Sequence, residues 1–144
     1  MPIAETQLNR ATLERFHAAA NSGDADAVAK AVDEFVAPDA RFHVPVATGQ
    51  TGAAALKQVW EVLLRAYPDL HVAVEETIAE GDKVVTRNRV TGTHLGEYRG
   101  LQPTGRTVDY SEIFVFRFAG GRIVEIRGVV DVLAQLRQLG ALPS

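Results

Sequence analysis

The first third of the chain carries its apolar residues at helical spacing. Leu8, Thr12, Phe16 and Ala20 fall every fourth residue, with Ala11 and Ala19 beside them, which predicts an amphipathic helix over 5–20. Gly23 ends it. Asp24 then suits the N-cap of a second helix through "ADAVAKAVDEFV", which Pro38 stops, because a proline disfavours helix in the residue before it. "ARFHVPV" alternates and runs into Pro45 and "TGQTG", the pattern of a short edge strand. Thr51 is the expected cap of a third helix, in which Leu56, Val59, Trp60, Leu63, Leu64 and Tyr67 keep i, i+3, i+4, i+7 spacing until Pro68.

Beyond Pro68 the period changes from 3.6 to two. "LHVAVEETIAE", "KVVTRNRVTGTH", "RTVDYSEIFVFRF" and "RIVEIRGVV" read as four strands, with "EGDK" and "AGGR" as hairpin turns and "LGEYRGLQPTG" as a longer connection. "VLAQLRQLG" is a closing helix ending at Gly140. Helices first, an antiparallel sheet afterwards and one more short helix predict a single α+β domain over 1–144, with helices on one face of the sheet. No internal repeat, low-complexity tract or linker interrupts it.

Strand register is where the chemistry begins. Alternate residues of a strand share a face, so a polar side chain among apolar ones points into the core or a pocket. Asn88 shares a face with Val84, Thr86 and Val90, and Glu112 shares one with Val108, Tyr110, Phe114, Phe116 and Phe118. A carboxylate held among aromatics is partly desolvated, which raises its pKa toward the range where a general acid or base works best. The competing reading is a β-bulge that exchanges the two faces and turns Glu112 outward. His43, on the edge strand, is a candidate base or hydrogen-bond donor, or else a rim histidine satisfied by backbone. Asp131 directly precedes the closing helix, where it caps the first backbone N–H groups, while the same carboxylate is a candidate acid/base at a pocket mouth. His17, on an alanine-rich helix, and His71 read as structural or exposed.

Composition narrows the classes. The 144 residues include no cysteine, which excludes a disulfide scaffold, a thiolate zinc site and a cysteine nucleophile. Lys and Arg are scattered singly and the net charge is −3, so nucleic acid is not an expected partner. The N-terminal residues lack a basic start followed by an apolar stretch, and no apolar run approaches the ~20 residues of a membrane span, so no membrane association and a cytoplasmic location are expected. No histidine pair has i, i+4 or i, i+2 spacing, so no metal is expected. "GDADA" lacks the later ligands of a calcium loop, and "GTHLGEYRG" has its glycines at the wrong spacing for a dinucleotide.

The order helix, helix, short strand, helix and four long strands resembles the nuclear transport factor 2-like superfamily. "FVAPDARFHVP", "YPDLHVAVEETIAEGDKVVTRNRVTGTHLGEYRGLQPTGR" and "GGRIVEIRGVVDVLAQLRQLGALP" resemble the SnoaL-like polyketide cyclases, the ester cyclase group, over nearly the whole chain. The resemblance implies a cone-shaped barrel, a curved sheet wrapped on the N-terminal helices around an apolar pocket, and a homodimer formed through the sheet. It also implies an intramolecular aldol cyclisation of a polyketide methyl ester, without metal or cofactor, by an acid/base Asp on the last long strand. Here Gly128 stands at that Asp, which enlarges the pocket. Glu112 and Phe114 match inward glutamine and histidine positions on the preceding strand. The family pattern also has an Asp at the place of Asp131, which fits capping, His43 matches the histidine of a "DHDP"-like segment, and His94 matches a loop histidine.

Three functions follow as expectations. In the first, a cofactor-independent cyclase or isomerase acts on an apolar, oxygenated small molecule. Glu112 is its acid/base and Asp131 the reserve. Asn88, Tyr110 and His43 orient substrate or stabilise oxyanion charge, and Phe16, Trp60, Tyr67, Phe114 and Phe116 line the pocket. The second keeps the fold and opens an epoxide by acid catalysis from Glu112. The third is a ligand-binding module without turnover, suggested by Gly128.

Overall fold

A computed structural model describes residues 3–43 and 52–142 of the chain. The expected cap at Thr51, Pro45 and most of the "TGQTG" turn lie outside the described residues. Helix α1 (Ile3–Ala20) and helix α2 (Ala25–Phe35) form a hairpin, and the Asp24 carboxylate caps α2 by accepting from the Asp26 N–H at 2.9 Å. The second helix stops at Phe35, three residues before Pro38, and strand β1 (Val36–His43) begins at once. Helix α3 (Gly52–Ala66) follows, burying Ala55, Leu56, Val59 and Leu64. Each large aliphatic side chain buried this way contributes roughly 1.5–3 kcal/mol.

Strands β2 (His71–Glu80), β3 (Lys83–Thr93), β4 (Thr107–Ala119) and β5 (Arg122–Val130) form an antiparallel meander, and α4 (Val132–Gln138) closes the fold. The sheet order is β1-β5-β4-β3-β2. β1 is an edge strand as expected, but it pairs parallel to β5, so the sheet is not wholly antiparallel. Its register breaks between Val36 and Arg41, where Pro38 has no N–H to give the ladder. The turn from β4 to β5 is Gly120-Gly121, with φ of 59° and 80°, left-handed values that a two-residue hairpin of primed type requires.

The curved sheet packs its concave face on the helices, and the core runs between them through Phe16, Val32, Val84, Val90, Phe116 and Ile123. The Asn21 side chain ties the helical hairpin to β2, accepting from the Val72 N–H (2.7 Å) and donating to the Val72 carbonyl (2.9 Å). The connection from β3 to β4 is folded back on α3, where the Leu95 and Gly96 N–H groups donate to the Ala66 carbonyl. His94 Nδ1 accepts from the Thr104 N–H at 3.1 Å, pinning the same segment. This fold-back carries Tyr98, buried against Tyr67, and Arg99, which lies over the Tyr98 ring.

Candidate active site

Pairing between β3 and β4 is continuous from Lys83 to Thr93, with no shift of register. A bulge does occur, but between β4 and β5 at Arg117/Phe118, too far along to turn Glu112 outward. Glu112 therefore stays on the concave face, with Asn88 opposite it on β3 and Val130 opposite it on β5. Asn88 Nδ2 donates to Glu112 Oε1 at 3.1 Å.

These residues border a cavity of about 90 Å³, several times the roughly 10–15 Å³ that one water needs. It can admit an organic molecule. Its walls are Phe16 and His17 from α1, Leu56, Val59, Trp60 and Leu63 from α3, and Asn88, Val90, Tyr110, Glu112, Phe114 and Phe116 from the sheet. Tyr98 and Arg99 come from the fold-back, and Val130 and Val132 flank Asp131.

Burial sets the electrostatics. It raises the Glu112 carboxyl to about 7, against the opposing pull of the Asn88 hydrogen bond. It also drives the Tyr110 phenol well above its usual value, helped by the Glu112 charge, so Tyr110 is a neutral donor. His17 is held near 4 by burial and is a neutral imidazole. Around Tyr110 lies a phenol network: Arg99 Nε donates to Tyr98 Oη (3.1 Å), Tyr98 Oη donates to Gln135 Oε1 (3.4 Å) and Gln135 Nε2 donates to Tyr67 Oη (3.2 Å).

The structure separates the expected site residues. Phe16, Trp60, Asn88, Tyr110, Glu112, Phe114 and Phe116 meet around the cavity. Tyr67 does not: it is fully buried behind the wall, packed on His94 and Tyr98, because its hydroxyl is spent on Gln135. His43 is half exposed at the β1 edge, and its imidazole lies 3.4 Å from Glu125, away from the cavity. Asp131 is exposed and Oδ1 accepts from the Ala134 N–H at 3.0 Å, so its side chain caps α4 rather than entering the pocket. Gly128 adds no room. A Cβ placed there would lie far inside contact distance of the Phe114 ring, which occupies the vacated space.

Besides aliphatic side chains and Phe42, three cavity residues able to hydrogen-bond were not anticipated: His17, Tyr98 and Arg99. His17 is buried and walls the cavity, although an exposed or structural place was expected. The signal was present: Leu13 and Ala20, at i−4 and i+3, put it on the buried stripe of α1. Tyr98 and Arg99 sit on a connection whose aromatic and cation between glycines were the only hint.

The family model for SnoaL-like polyketide cyclase matches residues 10–139. The chain belongs to the SnoaL-like polyketide cyclase family. Among SnoaL-like relatives, it is similar to the aklanonic acid methyl ester cyclase DnrD of Streptomyces peucetius, at 31% identity over 89% of this chain and 88% of that one. It superposes on a candidate SnoaL-like polyketide cyclase from Jannaschia Sp. CCS1 with a TM-score of 0.86, at 29% identity over 99% of this chain and 97% of that one. AclR of Streptomyces galilaeus, described as a candidate hydroxylase, superposes with a TM-score of 0.82 at 31% identity, covering 96% of this chain and 89% of that one. A SnoaL-like shape thus goes with more than one named chemistry, and the reaction has to be argued from the residues. No helix among the described residues is long and apolar enough to cross a membrane.

Proposed function

We propose that this chain is a cyclase that closes a ring in an apolar, oxygenated molecule of polyketide type, with Glu112 moving the proton. The observation that carries the proposal is the Glu112 carboxyl, poised near neutrality inside an apolar cavity and backed by Asn88. The ionised carboxylate takes a proton from carbon between two electron-withdrawing groups, leaving an enolate. Neutral Tyr110, two residues away on the same face, supplies an O–H donor toward the developing oxyanion. The enolate carbon attacks a ketone carbon of the same molecule, and the new alkoxide takes its proton back from Glu112. Atoms and charge balance without a cofactor, and the carboxylate is regenerated.

Gly128 at the place of the family's acid is compatible with this reading, because Glu112 lies one strand over and Phe114, not solvent, fills the gap. We further propose that two copies pair through the convex face of the sheet. Ile78, Val85, Ile113, Val115 and Val129 alternate there, and Val129 is 77% exposed. The compartment proposed is the cytoplasm.

The test is incubation with aklanonic acid methyl ester in deuterated buffer. The wild-type protein should exchange the acidic C–H and close the ring, and Glu112→Gln should do neither while still binding. Saturable binding without exchange by the wild type would instead make the chain a binding module.

A further inference from the structure

His17 is more than nine-tenths buried, walls the cavity and makes no hydrogen bond through its ring nitrogens among the described residues. Its ring is held edge-on by Phe16 (6.1 Å) and Phe116 (6.2 Å), contacts that fix orientation without using either nitrogen. An imidazole in the cavity wall with its donor and acceptor unused is free to hydrogen-bond what fills the cavity.

We propose that His17 forms a second polar subsite of the pocket, which recognises a hydroxyl or carbonyl oxygen at the end of the ligand remote from Glu112. The inference rests on the cavity being the ligand site and deepens that reading by naming the ligand's shape. Phe116, under the His17 ring, is four residues from Glu112 on the same face, about 13 Å along the strand. Two fused six-membered rings with an oxygen at each end, plus a hydrogen bond at each oxygen, cover that distance. A neutral imidazole suits the role, since it can donate to a carbonyl or accept from a phenol by choice of tautomer. The preferred ligand is then elongated and fused, with oxygens at opposite ends, rather than compact.

Binding of 2-naphthol and 2,6-naphthalenediol, followed by the fluorescence of Trp60 in the cavity wall, tests this. The second hydroxyl should tighten binding by several-fold to about tenfold in the wild type. His17→Phe should abolish that gain and Glu112→Gln, which keeps a hydrogen-bonding amide, should preserve it. In the wild type, ¹⁵N-NMR of the His17 ring should show a nitrogen shift with the diol and none with naphthalene, a readout that needs no variant to fold. An unchanged diol-to-naphthol ratio in His17→Phe, or a silent His17 ring while Trp60 reports occupancy, overturns the subsite but leaves Glu112 catalysis standing. Turnover lost from the wild type with the diol gain intact does the reverse. If neither probe perturbs Trp60, the pocket reading falls and the subsite with it.

Discussion

Asn88 and Glu112 face each other across β3 and β4, and the amide donates to the carboxylate at 3.1 Å. That bond favours the ionised carboxylate, while burial favours the neutral acid, and burial is the larger of the two. Removing the amide should therefore push the carboxyl still higher. In Asn88→Leu, the rising limb of kcat/KM against pH should move up from about 7, measured on any substrate the wild type turns over. An unmoved limb would separate Asn88 from the titrating group.

Glu112→Gln should lower kcat by about 10²- to 10⁴-fold, the usual contribution of a positioned acid or base. Asp131→Asn should leave kcat within a few-fold, because the side chain serves the α4 terminus. Steady-state kinetics of the two variants, with circular dichroism as the fold control, distinguishes the two carboxylates.

Glu112 and His17 should give opposite slopes of stability with pH. The folded pKa of Glu112 is raised to about 7, so its favourable contribution is full below its unfolded value near 4.5 and is lost as pH rises through 7. The folded pKa of His17 is depressed to about 4, so its neutral form supports folding above the unfolded 6.5 and that support is lost as pH falls toward 4. Between about 4.5 and 6.5 the two nearly cancel. Urea midpoints should then fall with pH in His17→Phe relative to wild type, and rise with pH in Glu112→Gln. Each slope is bounded by about 1.4 kcal/mol per pH unit.

Gly128→Ala should destabilise the fold by about 1–3 kcal/mol, because the new methyl meets the Phe114 ring. In a Phe114→Leu background the same change should cost less. A double-mutant cycle on thermal or urea unfolding reads the coupling, and additive costs would mean that the ring does not fill the space at Gly128.

Val129→Lys should weaken self-association, measured by sedimentation, and leave monomer stability nearly unchanged, since the side chain is exposed on the convex face. Pairing with unaltered affinity in Val129→Lys would place the contact between copies elsewhere.

Elements with a strong period were legible in the chain. The α3 stripe, the alternation around Glu112 and the Gly-Gly turn each rest on interactions within a few residues, so local pattern suffices to place them. The inward side of Asn88 and Glu112 was legible for the same reason, since only a bulge in β3 or β4 near them could reverse it: the one beside Asn88 puts its extra residue on β2, and the β3–β4 pairing is unbroken. The direction of β1 was not, because a parallel pair is made with a strand some eighty residues away. Nor was the place of Tyr67, whose helical register predicts burial but cannot separate the cavity wall from the layer behind it.

By itself, the sequence determined which side chains face the concave side and that one of them is a carboxylate among aromatics, because strand and helix periods are local geometry. Only the tertiary structure decided which of those faces enclose empty space. Phe114 closes over Gly128, the β3–β4 connection brings in Tyr98 and Arg99, and α1 lays His17 against Phe116. Each is a contact between residues distant in the chain, and the void they leave is set by how the layers pack rather than by any one element's pattern.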